Sequence, residues 1–276
     1  MFEGRRLCIA TMHKKEKVLA PLFESALKVE CFTPLGLNTD EFGTFSGEVE
    51  RTKAPLEAAR QKCMRAIELS HCDLAVASEG SFGPHPVAGF LPVNEELLLF
   101  IDARKNIEIA VTHISTKTNF GSCTAKDNEE LDDFIARAKF PEHAVILREP
   151  GGKIIQKGLQ DKQELMRLFN HNLTQFGSVL IETDMRAHLN PMRMKNIYDC
   201  AKKLIATIEG KCPECAWPGF AINSVISGLP CENCDMPTKS TLKHVYICKH
   251  CGFTREKNNP HGKQKEDAMF CDFCNP

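Results

Sequence analysis

The chain has 276 residues, 42% of them hydrophobic and 26% charged, a composition that excludes wholesale disorder. A formal net charge of −1 argues against a protein that grips nucleic acid or membrane with its whole surface. No apolar run approaches the roughly 20 residues of a membrane span, and Met1 to Arg6 shows no signal-type stretch, so the expected location is cytoplasmic.

At roughly 100–200 residues per domain, the length fits one large domain or two unequal ones. In chain order, Arg6 to Thr11 reads as a strand and Lys17 to Val29 as a helix, with Pro21 marking its first turn or a kink. Arg51 to Leu69 carries Leu56, Ala59, Cys63 and Ile67 on one helical face. Asp73 to Ser78 is a buried strand that should end in a Gly/Pro-rich loop, Gly80 to Pro86. Glu95 to Asp102 and Ile107 to Ser115 read as strands joined tightly at Lys105-Asn106. Glu129 to Ala138 is a short helix and His143 to Arg148 another strand. Beyond Pro150-Gly151-Gly152 the pattern turns helical, at Asp161 to Asn172 and Met194 to Glu209, with an apolar run at Gly177 to Ile181 between them. Gly210 suits a helix C′ position. The expected organisation is an α/β domain over 1–176 (a mixed sheet with flanking helices), a polar strand and helical connector over 177–210, and a small cysteine-rich domain over 211–276.

Cysteine usage is the loudest feature. Fourteen are present; six (Cys8, Cys31, Cys63, Cys72, Cys123, Cys200) are scattered, mostly in apolar surroundings, and eight fall in the tail. The eight form four CxxC pairs, Cys212/Cys215, Cys231/Cys234, Cys248/Cys251 and Cys271/Cys274, separated by 15, 13 and 19 residues. Two thiolates three positions apart grip one face of a zinc ion, and a second pair closes the tetrahedron. The tail therefore reads as a double zinc ribbon with two structural Zn ions and no open catalytic position. Sequential pairing of knuckles (first with second, third with fourth) is slightly preferred over nested pairing (second with third, first with fourth). Thr241 to Glu256 resembles a strand–knuckle–strand. From Lys211 onward, eight Lys/Arg against seven Asp/Glu, eight thiolates and two divalent ions leave a net charge of −3. That disfavours nucleic acid as the partner of the tail.

In the α/β part, three segments carry polar groups at strand ends, where such folds place chemistry. Thr11 to Lys17 opens a helix with donors suited to phosphate. Glu48 and Glu50 precede the long helix. Ser78-Glu79-Gly80 closes the buried strand, and a carboxylate beside glycines is a natural Mg²⁺ holder. Plainer readings stand beside these: Lys14, Lys15 and Lys17 as solvated helix-start residues, Glu48 or Glu50 as a helix cap, His13 and His85 as surface residues. Asp184, Arg186, His188 and Asn190 alternate, so they either share one face of an extended strand or form a polar linker capping the next helix at Asn190-Pro191.

Cys8-Ile-Ala-Thr-Met-His-Lys-Lys-Glu-Lys-Val18, Glu50 with Lys53-Ala54 and Ala58-Ala59-Arg60, and Asp73-Leu-Ala-Val-Ala-Ser-Glu-Gly80 together resemble motifs of the inosine/xanthosine triphosphatase superfamily, over about residues 6–115. The resemblance implies an elongated α/β fold, a nucleotide in a cleft, Mg²⁺ on acidic residues and hydrolysis of a nucleoside triphosphate. His13 stands where that family has Asn, and one residue is inserted before Lys17. The residues so marked are Glu79, Glu50 and Lys17 for catalysis, and Thr11, His13, Lys17, Ser78, Gly80 and Arg186 for nucleotide or phosphate contacts. Two functions follow as expectations: a Mg²⁺-dependent nucleotide phosphohydrolase with a structural zinc tail, or a silent nucleotide-binding fold whose ribbons hold a protein or nucleic-acid partner. A second copy of the chain is a further candidate partner.

Overall fold

Apolar residues alternating in short runs, punctuated by helices, build most of the molecule. A computed structural model of the chain describes residues 1–37, 54–85 and 88–276. It divides into two units, Met1–Ile205 and Ala206–Pro276. Glu48, Glu50 and Lys53 lie outside the described residues, as do the start of the helix expected from Arg51 and the end of the loop expected at Pro86.

In the first unit, β1 (Arg6–Ala10), β2 (Glu30–Phe32), β3 (Leu74–Pro84), β4 (Pro92–Asp102) and β5 (Ile107–Ser115) form a mixed sheet in the order β2-β1-β3-β4-β5. The first three strands of that order are parallel and the last two pairings antiparallel. Helix α1 (Glu16–Leu27) follows β1, with Pro21 in its second turn, and α2 (Pro55–Ser70) precedes β3. Ala59, Cys63 and Ala66 of α2 join Cys8, Ala10, Ala75, Ala77, Leu99 and Ile101 of the sheet in one buried cluster. Small side chains there let the helix lie close to the strands. The alternate residues Leu7, Ile9, Leu74 and Val76 are equally buried, so the sheet is covered on both faces.

A second, antiparallel sheet of β6 (Ser122–Ala125), β7 (Val145–Arg148), β8 (Ile154–Leu159) and β9 (Val179–Thr183) runs in the order β6-β9-β7-β8. Helices α3 (Asn128–Ala138) and α4 (Lys162–Phe176) bury Leu131, Phe134, Leu165 and Phe169 against it. Asp127 and Asp161 cap them, accepting from Glu130 N at 2.8 Å and Glu164 N at 2.7 Å. Strands β6 and β8 were not foreseen from the sequence, because SCTA and IIQKGL are short and partly polar. Because β9 sits between β6 and β7, the expected connector is split: its strand belongs to the first unit. Helix α5 (Pro191–Glu209) begins in that unit and ends in the second.

Two expectations are corrected here. β3 does not stop at Ser78; it continues through Gly80 to Pro84, paired with β4. A Cβ on Gly80 would meet Arg193 Nη2 at 2.6 Å and Glu96 Oε1 at 2.8 Å, so glycine here leaves room for a buried ion pair rather than making a turn. Nor do Asp184 to Asn190 form an extended strand. After Thr183 the chain folds into a short 3-10 turn (Ala187–Leu189), and Asn190 Oδ1 accepts from Arg193 N at 3.0 Å, capping α5.

The second unit is a three-stranded antiparallel sheet, β10 (Ile222–Ser227), β11 (Thr241–Ile247) and β12 (Thr254–Asn258), in sequence order. Among the described residues, no helix is long and apolar enough to cross a membrane. Replacing Gly80 by Ala is expected to lower stability by about 2 kcal/mol or more, since the new methyl must displace a fully buried pair. Urea denaturation followed by circular dichroism measures it, and an unchanged midpoint would refute the packing described.

Candidate metal centres and a buried charge cluster

Each CxxC adopts the same tight turn. Ala216 N, Asp235 N, Gly252 N and Asn275 N donate to the carbonyls of Cys212, Cys231, Cys248 and Cys271 at 2.9–3.1 Å. The residue after the second cysteine is left-handed in the first three, Ala216 and Asp235 among them. The turn aims both sulfurs the same way. Cys212, Cys215, Cys248 and Cys251 converge, as do Cys231, Cys234, Cys271 and Cys274, each set with its four sulfurs within 4.8 Å of one another. The nearest approaches are 3.7 Å (Cys212–Cys251), 3.6 Å (Cys215–Cys248), 3.9 Å (Cys231–Cys274) and 3.7 Å (Cys234–Cys271). A disulfide would be about 2.05 Å. A tetrahedron with metal–sulfur bonds of about 2.3 Å has edges of about 3.8 Å. The donor set fits a four-coordinate metal.

The pairing is neither sequential nor nested: the first knuckle joins the third and the second joins the fourth. Register explains it. Ile222, just after the first knuckle, pairs with Tyr246, just before the third, while Ser227 pairs with Thr241 at the other end of the sheet. Six residues of strand carry the second knuckle about 20 Å from the first. The fourth returns to it through Glu266, whose N–H donates to Pro230 O at 2.8 Å and whose carbonyl accepts from Glu232 N at 2.9 Å. Trp217, the lone tryptophan, stacks on His250 of the third knuckle at 4.0 Å, beside the apolar group of Phe220, Tyr246 and Phe253.

In the first unit, the loop after β1 and the middle of β3 converge. Lys15, at the start of α1, is buried and its Nζ donates to Ser78 Oγ at 2.7 Å. Lys17, the lysine marked from the sequence, is exposed. Glu79 is buried and ion-paired with Lys62 of α2, itself buried. Gly80, on the same face of β3 as Ser78, lies against Arg193, whose Nε donates to Glu96 Oε1 at 2.8 Å with both side chains fully buried. Arg193, like Arg186, suits an anion by its bidentate geometry, but its carboxylate partner Glu96 is 97 positions away, and Lys62 carried no sequence signal beyond its type. Burial, then the charge of Arg193, pushes Lys15 down to about 7; Lys62 acts in the same direction, and Glu96 and Glu79 oppose it. Two buried ion pairs, Lys62–Glu79 and Arg193–Glu96, and Lys15 thus lie along the middle of β3.

The remaining marked residues are placed as follows. Thr11 Oγ1 accepts from His13 N at 3.2 Å. His13 stacks on His188 at 5.3 Å, and burial lowers the His188 pKa. Arg186 turns back on buried Asp184, Nη2 to Oδ2 at 2.6 Å. It lines a cleft of about 380 Å³ with Phe82, Phe120, Arg148, Glu182 and Asp184. Phe82 links this cleft to the cluster, with the Arg193 guanidinium 5.3 Å from its ring centre. Among the described residues, only the two cysteine tetrads bring three or more His, Cys, Asp or Glu ligand atoms together. Among the described residues no group of three or more carboxylates is gathered for Mg²⁺, and Glu79 is ion-paired with Lys62.

The profile of a domain of unknown function, DUF6671, matches residues 62–276. No curated protein matches the chain.

The tetrads predict two bound metal ions per chain, held without histidine, by elemental analysis. Chelation or Cys248→Ser should change the emission of Trp217, while Cys271→Ser should leave it nearly unchanged. One ion per chain would contradict two complete sites, and equal responses to both substitutions would contradict the crossed pairing.

Proposed function

We propose that this chain, which belongs to the DUF6671 family, holds two structural zinc ions in its tail and binds the phosphate groups of a nucleotide in its α/β unit. Four thiolates at tetrahedral spacing suit Zn²⁺, which the tail needs for folding rather than chemistry. The observation that carries the phosphate reading is the 2.7 Å contact of Lys15 with Ser78. It joins the loop leading into α1 to β3 at the point where the strand order reverses direction from β1. Open α/β sheets take ligands at such a point, with an anion facing the helix start. On the Ser78 face of β3, Arg193 is committed to Glu96, so the charge of Lys15 suits an anion, and the cleft beside Phe82 gives the rest of the ligand room.

Mg²⁺-dependent hydrolysis of a nucleoside triphosphate is the activity the resemblance of the sequence implies for such a site. A second reading, a silent binding module, is favoured by the Lys62–Glu79 pair, which already neutralises the Glu79 carboxylate. Turnover of a nucleotide panel with and without Mg²⁺, alongside calorimetric binding, separates them. Binding without turnover selects the silent module, and neither binding nor turnover rejects both.

Lys15 sets a pH signature. In the free protein it loses its proton near pH 7, well below an exposed lysine, and a bound phosphate would raise that value. Affinity should therefore fall as pH rises from 6 to 9, and Lys15→Met should weaken binding about tenfold and flatten that slope. The linkage for folding has a definite sign. The unfolded chain binds more protons between about pH 7 and 10.5, so the stability contribution of Lys15 rises with pH across that window. Lys15→Met should remove this rise. Unaltered affinity in the variant would sink the assignment.

A further inference from the structure

Charge in the tail is segregated. Seven of its eight Lys/Arg lie between Lys239 and Lys265, with Glu256 the single carboxylate among them. The net charge of −3 comes from the knuckle thiolates and from carboxylates outside that stretch. Four of the seven cations are offset by ion pairs: Lys239 with Asp272, Lys243 with Glu256, Lys263 with Glu266 and Lys265 with Asp235. Lys249, Arg255 and Lys257 remain, and all three are exposed.

Register places two of these three on one face of the sheet, because directly paired residues point to the same side. Tyr246 pairs with Ile222 and with Arg255, and His244 pairs with Val225 and with Lys257. The register shift between Ile222 and Ser224 brings Val225 round to the side of Ile222. Ile222, Val225, His244, Tyr246, Arg255 and Lys257 therefore share a face, and none of them is a carboxylate. Glu256, paired with Val245, points to the other face, where it meets Lys243.

Between its charges this face is apolar and aromatic. Ile222 is 47% and Val225 56% exposed. His244 and Tyr246 are half-buried, and exposed His261 meets His244 edge-on, with ring centres 5.4 Å apart. The Arg255 guanidinium lies over Phe220 and Tyr246, 5.3 and 5.4 Å from their ring centres, which holds it against the sheet.

We propose that this face of the tail binds single-stranded nucleic acid. Such a strand brings both complements together: phosphates for Arg255 and Lys257, and flat bases for His244, His261, Ile222 and Val225. An unpaired strand can splay its bases onto side chains, whereas a duplex keeps them stacked and would meet the cations alone. An acidic peptide would satisfy the charges and leave the apolar surface in water. The proposal concerns the second unit alone and does not depend on the phosphate reading of the first.

The test is fluorescence anisotropy of a labelled thymidylate 20-mer titrated with the metal-loaded full chain. Saturable binding is expected, weakening roughly tenfold between 50 and 200 mM salt, as two or three phosphate contacts require. Arg255→Gln and Lys257→Gln should each weaken it several-fold, and Val225→Glu, which sets a carboxylate into the face, should abolish it. Lys243→Gln, on the opposite face, should leave the affinity within about twofold, since Glu256 already offsets that charge. Each variant should retain its two metal ions, so that the losses report contacts and not folding. Absence of binding at 50 mM salt overturns the proposal, as does equal affinity for a 20-bp duplex or an equal loss in Lys243→Gln. Displacement by polyglutamate at the same charge concentration also overturns it and assigns the face to an acidic protein partner.

Discussion

The Arg193–Glu96 pair organises the first unit. Both side chains are fully buried, and removing two such charges from water costs several kcal/mol per ion unless every neighbour is arranged to offset it. The surroundings show that arrangement. Glu96 Oε1 also accepts from Asn94 Nδ2 at 2.9 Å, Asn94 Oδ1 accepts from Asn196 Nδ2 at 2.7 Å, and the Met185 carbonyl accepts from Arg193 Nη1. Glu96 belongs to β4, Arg193 and Asn196 to α5, and Met185 to the turn after β9. One ion pair therefore fixes the start of α5 and the exit of the second sheet against the first. Gly80 is the empty space this requires.

The same constraint shapes the electrostatics of β3. Its consecutive residues point to opposite faces, so Ser78 and Gly80 meet Lys15 and Arg193 while Glu79 meets Lys62. Arg193 is committed to Glu96 and Lys62 to Glu79, which leaves Lys15 as the cation whose charge is least offset. Its lowered pKa follows directly: burial disfavours the ammonium and Arg193 repels it.

The tail shows a different logic. It has little core of its own, a few aromatic and cysteine side chains, and β10 and β12 are exposed along their lengths. Below about 70–80 residues such a unit needs metal or disulfide staples. Crossed pairing puts one tetrad at each end of the sheet, so a metal in each would close a different pair of loops, and neither half of the tail can complete a site alone.

Sequence by itself settled what local spacing controls. The helical faces of α3 and the first turns of α4 are set by side chains three and four positions apart, and β5 ends where its alternation ends. The four knuckles were legible because each is a turn of four residues with its own chemistry. The tertiary structure decided everything that depends on partners distant along the chain. Whether knuckle one meets two, three or four is a matter of strand register, which CxxC spacing does not encode. Lys15 and Lys17 are equivalent as sequence; only the position of β3 beside the loop buries one and leaves the other in solvent. Glu79 looked like a free carboxylate and Gly80 like a turn because Lys62, Glu96 and Arg193 come from other elements. Burial of charge is a property of three-dimensional neighbours, and no local pattern records it.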